Sequence, residues 1–137
     1  HDWIPLGPLN DLQGIREANS LKNLILTTII NVFSISVVIG ITLVYIGKRY
    51  PIWARIWLIV HLGAILYGAI SAWWIPYFFG TDNEIVERYN VMFGDTHAFL
   101  PVMNGIVPNT VHVLFHVTLF ICWLLNIFIS LKNKKQG

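Results

Sequence analysis

The feature that most constrains the fold is a set of three long apolar runs, residues 24–47, 51–79 and 109–131. Each run exceeds the roughly 20 residues that an α-helix needs to cross the hydrocarbon core of a bilayer. The 137-residue chain is 55% hydrophobic and only 12% charged, whereas soluble domains carry about 25% charged residues. Charged side chains are therefore too few to cover a water-exposed surface. The sequence predicts an all-α integral membrane protein with three transmembrane helices, whose surroundings are a lipid bilayer.

Polar segments divide this single membrane domain. Residues 1–23 mix apolar and charged side chains, which is typical of a segment lying at the membrane interface. In residues 80–108, Thr81 and Glu84 match a capping box, which predicts a short amphipathic helix ending near Phe93. The remaining part of that segment is apolar but interrupted by proline and glycine, so we predict a loop packed on the end of the helix bundle.

The distribution of basic residues predicts the orientation in the membrane. One side carries six of them, Lys48, Arg49, Arg55, Lys132, Lys134 and Lys135, and the other carries Arg16, Lys22 and Arg88. Because the more basic side normally faces the cytoplasm, we expect an extracytoplasmic N-terminus and a cytoplasmic C-terminus. The net charge is only +2, and no basic patch is interleaved with aromatic residues, so nucleic acid is not an expected partner.

Histidines in the third run are the leading candidates for a functional site, because ionisable residues inside a spanning helix are costly. His112 and His116 are four residues apart and therefore lie on one helix face. Helical rise places Asn31, Ser34 and Ser71 at about the depth of His116, roughly 12 Å below the outer boundary. We therefore predict a polar pocket in the outer half of the bilayer.

Further residues extend this predicted pocket. Tyr67 lies slightly below its level, and Trp74 shares a helix face with Tyr67 and Ser71. The roof is expected to comprise His112, Asn109, Asp95, His97 and Asn104. By the same count of helical rise, His61 lies apart from the pocket, nearer the cytoplasmic face.

Several chemistries fit these residues. His112 and His116 could bind a transition metal with His97 or Asp95 as a third ligand. Haem is less favoured, because two histidines on one helix face cannot occupy opposite axial positions of one iron. His112, His116 and Asp95 could also act in acid–base catalysis. The alternative is that both histidines are core residues hydrogen-bonded to Asn31, Ser71 or backbone carbonyls.

Two functions follow from the sequence. The leading hypothesis is a membrane protein whose pocket binds a metal or a small lipophilic ligand, with acid–base or redox chemistry as an open question. The alternative is a non-catalytic small subunit, pore or transport component. Ala64, Gly68 and Ala72 repeat every four residues, a pattern that favours close helix contact. We therefore expect a homo-oligomer or a partner membrane subunit.

Overall fold

Three helices long and apolar enough to span a membrane are present, as predicted, in the computed structural model, which describes residues 3–134. The described residues contain no β-strand, so the all-α prediction is confirmed. The elements in order are a 3-10 turn (Gly7–Leu9), α1 (Gln13–Ala18), α2 (Leu21–Val44), α3 (Ile52–Ala69), a π-helical turn (Ile70–Trp74), α4 (Ile75–Phe79), α5 (Asn83–Phe93) and α6 (Thr110–Lys134). The segment from α3 to α4 runs without interruption as the second spanning helix, Ile52–Phe79.

Short-range chemistry sets where the helices begin and end. The Ser20 hydroxyl accepts a hydrogen bond from the backbone N–H of Asn23 at 3.3 Å and caps α2. The amphipathic helix predicted before Phe93 is α5, and Gly94 is its C-cap. The predicted capping box is wrong, however. The N-cap of α5 is Asp82 and not Thr81, because the first helical hydrogen bonds run to the carbonyl of Asp82. Asp82 makes no side-chain capping bond.

The second and third spanning helices, α3 and α6, form the main packed pair of the bundle. Leu62, Leu66 and Leu119 are buried between them. The indole N–H of Trp123 donates to the carbonyl of Ile59 at 3.0 Å across the same interface. An apolar contact thus joins the two helices, and a hydrogen bond reinforces it.

Helix α2 is attached much more sparsely than the other two spans. Only 6% of its most apolar 18-residue window is buried. Its contacts include hydrogen bonds from Trp3 Nε1 to Thr28 Oγ1 at 2.7 Å and between Ser34 Oγ and His61 Nε2 at 2.8 Å. Most of this helix is therefore left for lipid or for another protein to cover.

We call α1, α5 and the 94–109 loop the cap. Helix α1 crosses α5 so closely that a Cβ atom on Gly14 would lie 1.9 Å from the carbonyl oxygen of Val91, so only glycine fits there. The cap and the ends of two spanning helices share one buried core, formed by Ile15, Leu24, Trp73, Phe93 and Ile106. The loop predicted to pack on the bundle end thus supplies one of these core residues, Ile106.

The opposite end, which we call the basic end, carries Lys48, Arg49, Arg55 and Lys132. The acidic residues of the described chain all lie in segments at the cap end, and they are Asp11, Glu17, Asp82, Glu84, Glu87 and Asp95. Because three spans separate the chain ends, the N-terminal segment lies at the cap end and α6 finishes at the basic end. The predicted extracytoplasmic position of the cap rests on this charge asymmetry.

Candidate functional site

The candidate site lies where the π-helical turn meets the cap, and Pro76 explains the local backbone. Proline has no N–H and cannot donate to the carbonyl four residues earlier, which belongs to Ala72. The turn contains a bond of π type, from the N–H of Ile75 to the carbonyl of Ile70. The hydroxyl of Tyr89 in α5 donates to the carbonyl of Ala72. The Tyr89 side chain of the cap therefore bonds to the Ala72 carbonyl, which Pro76 leaves without its usual backbone donor.

Tyr89 is half-buried beneath the cap, and its ring meets Trp73 edge-on with 4.7 Å between ring centroids. Burial raises the pKa of Tyr89 above its ordinary value of 10.0, and the neighbouring Arg88 lowers it in part. The phenol therefore keeps its proton, and can keep donating it, throughout the neutral range.

His116 is linked to the second span through Trp74. The indole N–H of Trp74 donates to Nδ1 of His116 at 3.2 Å, and His116 is 5% exposed. An indole nitrogen can only donate, so Nδ1 of His116 must carry its lone pair and the ring proton must be on Nε2. His116 thus offers a hydrogen-bond donor at Nε2.

Ser71, one helical turn before Trp74, is the second polar group of the site. Its hydroxyl oxygen is buried and has no hydrogen-bond partner within residues 3–134. Leaving such a group unsatisfied costs about 1–3 kcal/mol. π-Helical turns are often found at functional sites, and Ser71 lies in one.

His112 has a different environment from His116. Its ring packs against Trp73 and Phe93, with centroid distances of 4.2 and 4.9 Å. The amide oxygen of Asn109 accepts from the backbone N–H of His112 at 3.0 Å and lies 2.6 Å from its Nδ1. Because that oxygen only accepts, Nδ1 carries the proton. Asn109 also donates to Thr96 Oγ1 at 3.1 Å, which ties the start of α6 to the cap.

The predicted metal ligands do not form a ligand set. Among residues 3–134, no group of three or more His, Cys, Asp or Glu side chains is placed to hold a metal ion. Nδ1 of His97 lies 2.7 Å from the hydroxyl of Thr110, and Asp95 is exposed. His112 and His116 are neighbours, with ring centroids 6.0 Å apart, but hydrogen bonds already engage one nitrogen of each ring. The acid–base roles of His112, His116 and Asp95 stay predictions.

Ser34 does not reach the level of His116, contrary to the predicted pocket. It contacts His61, which was expected to stand apart. His61 is ten residues before Ser71, or about 15 Å along a helix. The reason is the length of the second span, 28 residues. At about 42 Å this helix exceeds a ~30 Å hydrocarbon core, and near its end Tyr77 is hydrogen-bonded to Pro101 and Asn104 of the cap. The distance of Ser71 from Phe79 is therefore a poor measure of its depth in the bilayer.

The other predicted pocket residues are dispersed. Asn31 is exposed on α2, three residues from Ser34 and hence near the level of His61. Tyr67 is 71% exposed on the outside of α3. Asn104 lies in a tight turn, where its φ is +50°, and its amide donates to the carbonyl of Tyr77 at 2.9 Å. Of the predicted set, the structure joins Trp74 to His116 and Asn109 to His112.

Sequence reasoning missed the roles of Trp73, Tyr89 and Thr96. A signal for Tyr89 was available, because Pro76 inside an apolar run implies a carbonyl that needs another donor. Nothing in the sequence indicated which donor would reach it. Trp73 and Thr96 take part through packing and loop geometry, which a single sequence does not reveal.

No protein family, curated protein or solved structure matches this chain in the comparisons made with each.

Proposed function

We propose that the protein is a membrane protein that binds a lipophilic carbonyl compound, such as an alkyl-substituted quinone, at Ser71 and His116 beneath the cap. Ser71 has a hydroxyl that can donate, and His116 has a donor at Nε2. These two donors favour a ligand that carries hydrogen-bond acceptors on an otherwise apolar body.

The observation that carries the proposal is the buried, unpartnered hydroxyl of Ser71. A hydroxyl in an apolar environment is costly without a hydrogen bond. Alanine at this position would avoid that cost and would suit a helix better. A ligand oxygen bound there would supply the missing partner, which gives the serine a functional reason to be present.

Aromatic rings beside Trp74, three residues after Ser71, support an apolar ligand body. Trp74 lies 6.0 Å from Phe78 and 6.0 Å from Tyr77 by ring centroids. Flat rings offer stacking surfaces to a planar carbonyl compound. The donors orient the ligand, while the rings supply the apolar contact area.

The substitution Ser71→Ala tests the proposal because its two effects have opposite signs. It should raise the melting temperature of the ligand-free protein, since it removes an unsatisfied hydroxyl. It should also weaken binding of a decyl-substituted benzoquinone about tenfold, measured by calorimetry in neutral detergent.

Ser34→Ala is the matched control, because Ser34 bonds to His61 far from Ser71. It should lower stability and leave quinone affinity unchanged. Failure of the wild-type protein to bind the quinone would overturn the proposal, as would unchanged affinity in Ser71→Ala.

We infer a second candidate function, that of a membrane subunit assembled through α2. Asn31 is exposed in the middle of this sparsely buried helix, and its side-chain amide makes no hydrogen bond within the described chain. An amide facing lipid has no partner, whereas an amide on a second helix could pair with it.

Asn31→Leu should then shift the protein from dimer or larger assembly to monomer, measured by light scattering in detergent. Thr118→Leu is the control, since Thr118 is exposed on α6 but bonds to the carbonyl of Leu114 in its own helix at 2.8 Å. A wild-type protein that is monomeric at all concentrations would rule this candidate out.

A further inference from the structure

We propose that a cavity at the basic end binds an anionic phosphate group through the guanidinium of Arg55. The cavity has a volume of about 240 Å³ and lies between the ends of α2, α3 and α6. Its wall includes Thr42, Tyr50, Arg55, Leu58, Asn126 and Ser130. A water molecule accounts for ~30 Å³ of liquid, so the space exceeds what a single phosphate group needs.

Arg55 brings more hydrogen-bonding capacity to this cavity than the protein uses. Its Nη1 donates to the carbonyl of Ser130 at 3.3 Å. Its Nε is buried and has no hydrogen-bond partner within residues 3–134. A guanidinium has five N–H donors in a fixed planar fork, and Arg55 uses one of them to bond to a described residue.

The charge of Arg55 also lacks a counterion from the described chain. Every carboxylate side chain within residues 3–134 lies in a segment at the cap end, on the far side of the three spans. Lys48 and Lys132 are exposed at the basic end and add positive potential. A partly buried cation without a carboxylate nearby is stabilised when an external anion enters.

Phosphate fits this position in both geometry and depth. The arginine fork binds phosphate oxygens in a bidentate manner. Arg55 is three residues into α3, or about 5 Å from the helix start, near the layer where lipid phosphates lie. The apolar side chain of Leu58 continues the wall inward, where an acyl chain would run. The phosphate could belong to a lipid headgroup or to a soluble anion.

Thermal unfolding of the delipidated full-length protein in neutral detergent separates these sources. The three additives are phosphatidylglycerol, diacylglycerol with the same acyl chains, and inorganic phosphate. Phosphatidylglycerol should raise the melting temperature by ~5 °C or more at saturation, while diacylglycerol should not. A comparable rise with inorganic phosphate alone would assign the site to a soluble anion. Binding of a phosphate group by Arg55 would still hold in that case.

Variants then assign the effect to Arg55. Arg55→Gln should abolish the shift, and Arg55→Lys should retain only part of it because lysine has no planar fork. Lys48→Gln is the matched control, since it removes one positive charge at the same end outside the cavity wall, and it should retain the full shift. A full shift in Arg55→Gln would overturn the proposal.

Native mass spectrometry of the wild-type protein provides a test that does not depend on folding of the variants. After delipidation and re-addition, one phosphatidylglycerol or phosphate should stay bound to each chain. Binding of neither, or equal retention of diacylglycerol, would overturn the proposal.

Discussion

Nε1 of Trp74 lies 3.2 Å from Nδ1 of His116, so one hydrogen bond joins the second and third spanning helices just beneath the cap. The bond fixes which nitrogen of His116 carries the ring proton. It also places the histidine beside the π-helical turn that contains Ser71 and Trp74. The chemistry proposed for this site depends on that assignment.

Trp74→Phe should remove the hydrogen bond that selects one tautomer of His116. The wild-type ring is expected to carry its proton on Nε2, whereas the variant should show a mixture of both tautomers because Nδ1 loses its donor. Nitrogen-15 NMR of histidine-labelled protein distinguishes the two forms. The accompanying loss of stability should be about 1 kcal/mol. A wild-type spectrum with the proton on Nδ1 would contradict the structure.

Tyr89→Phe should destabilise the protein by about 1–3 kcal/mol, because the carbonyl of Ala72 loses the hydroxyl that bonds to it. Tyr67→Phe is the matched control, as Tyr67 is 71% exposed and should change stability by less than about 0.5 kcal/mol. Chemical unfolding in mixed micelles measures both. Equal effects of the two substitutions would show that the Tyr89 hydroxyl has no special partner.

Stability should also fall at alkaline pH in a way that depends on Tyr89. Burial raises the pKa of Tyr89 in the folded protein above the ordinary value of 10.0, so deprotonation is harder in the folded than in the unfolded chain. The stabilisation is therefore complete below pH ~10 and is lost as pH rises through the folded pKa. Melting temperatures from pH 8 to 11.5 should decline more steeply for wild type than for Tyr89→Phe, and parallel curves would refute this.

Gly14→Ala should weaken the contact between α1 and α5 severely. The added Cβ atom would lie 1.9 Å from the carbonyl oxygen of Val91, a distance that forces the two helices apart, and we expect a loss of about 2 kcal/mol or more. Gly40→Ala on α2 meets nothing within 4 Å and should be neutral or slightly stabilising. Protease sensitivity of the N-terminal segment reports the difference. Similar digestion of the two variants would count against the close crossing.

The spanning helices could be predicted from the sequence because hydrophobic length is a local property. A run such as residues 24–47 has no charge to place in water, and only a helix satisfies its backbone in lipid. The amphipathic helix before Phe93 was predictable for the same local reason, since its apolar residues repeat at helical spacing. Both properties are set within one segment and do not depend on neighbouring segments.

The candidate site was harder to predict because it depends on the relative heights of helices. Helical rise gives a depth only from a known boundary, and the end of the second span is hydrogen-bonded to the cap. Ser34 therefore contacts His61 instead of approaching His116. The pairing of Trp74 with His116 became visible only once the register between two antiparallel helices was known.

The bond between Tyr89 and the carbonyl of Ala72 makes two distant positions in the sequence dependent on each other. An alanine at position 76 would restore a backbone donor to that carbonyl, and the phenol would then be dispensable. Pro76→Ala should rescue much of the defect of Tyr89→Phe, so the two changes would be harmful in one order of acquisition and nearly silent in the other. The order in which these two substitutions can be acquired is therefore restricted, since loss of the Tyr89 hydroxyl is tolerated only after Pro76 has been replaced.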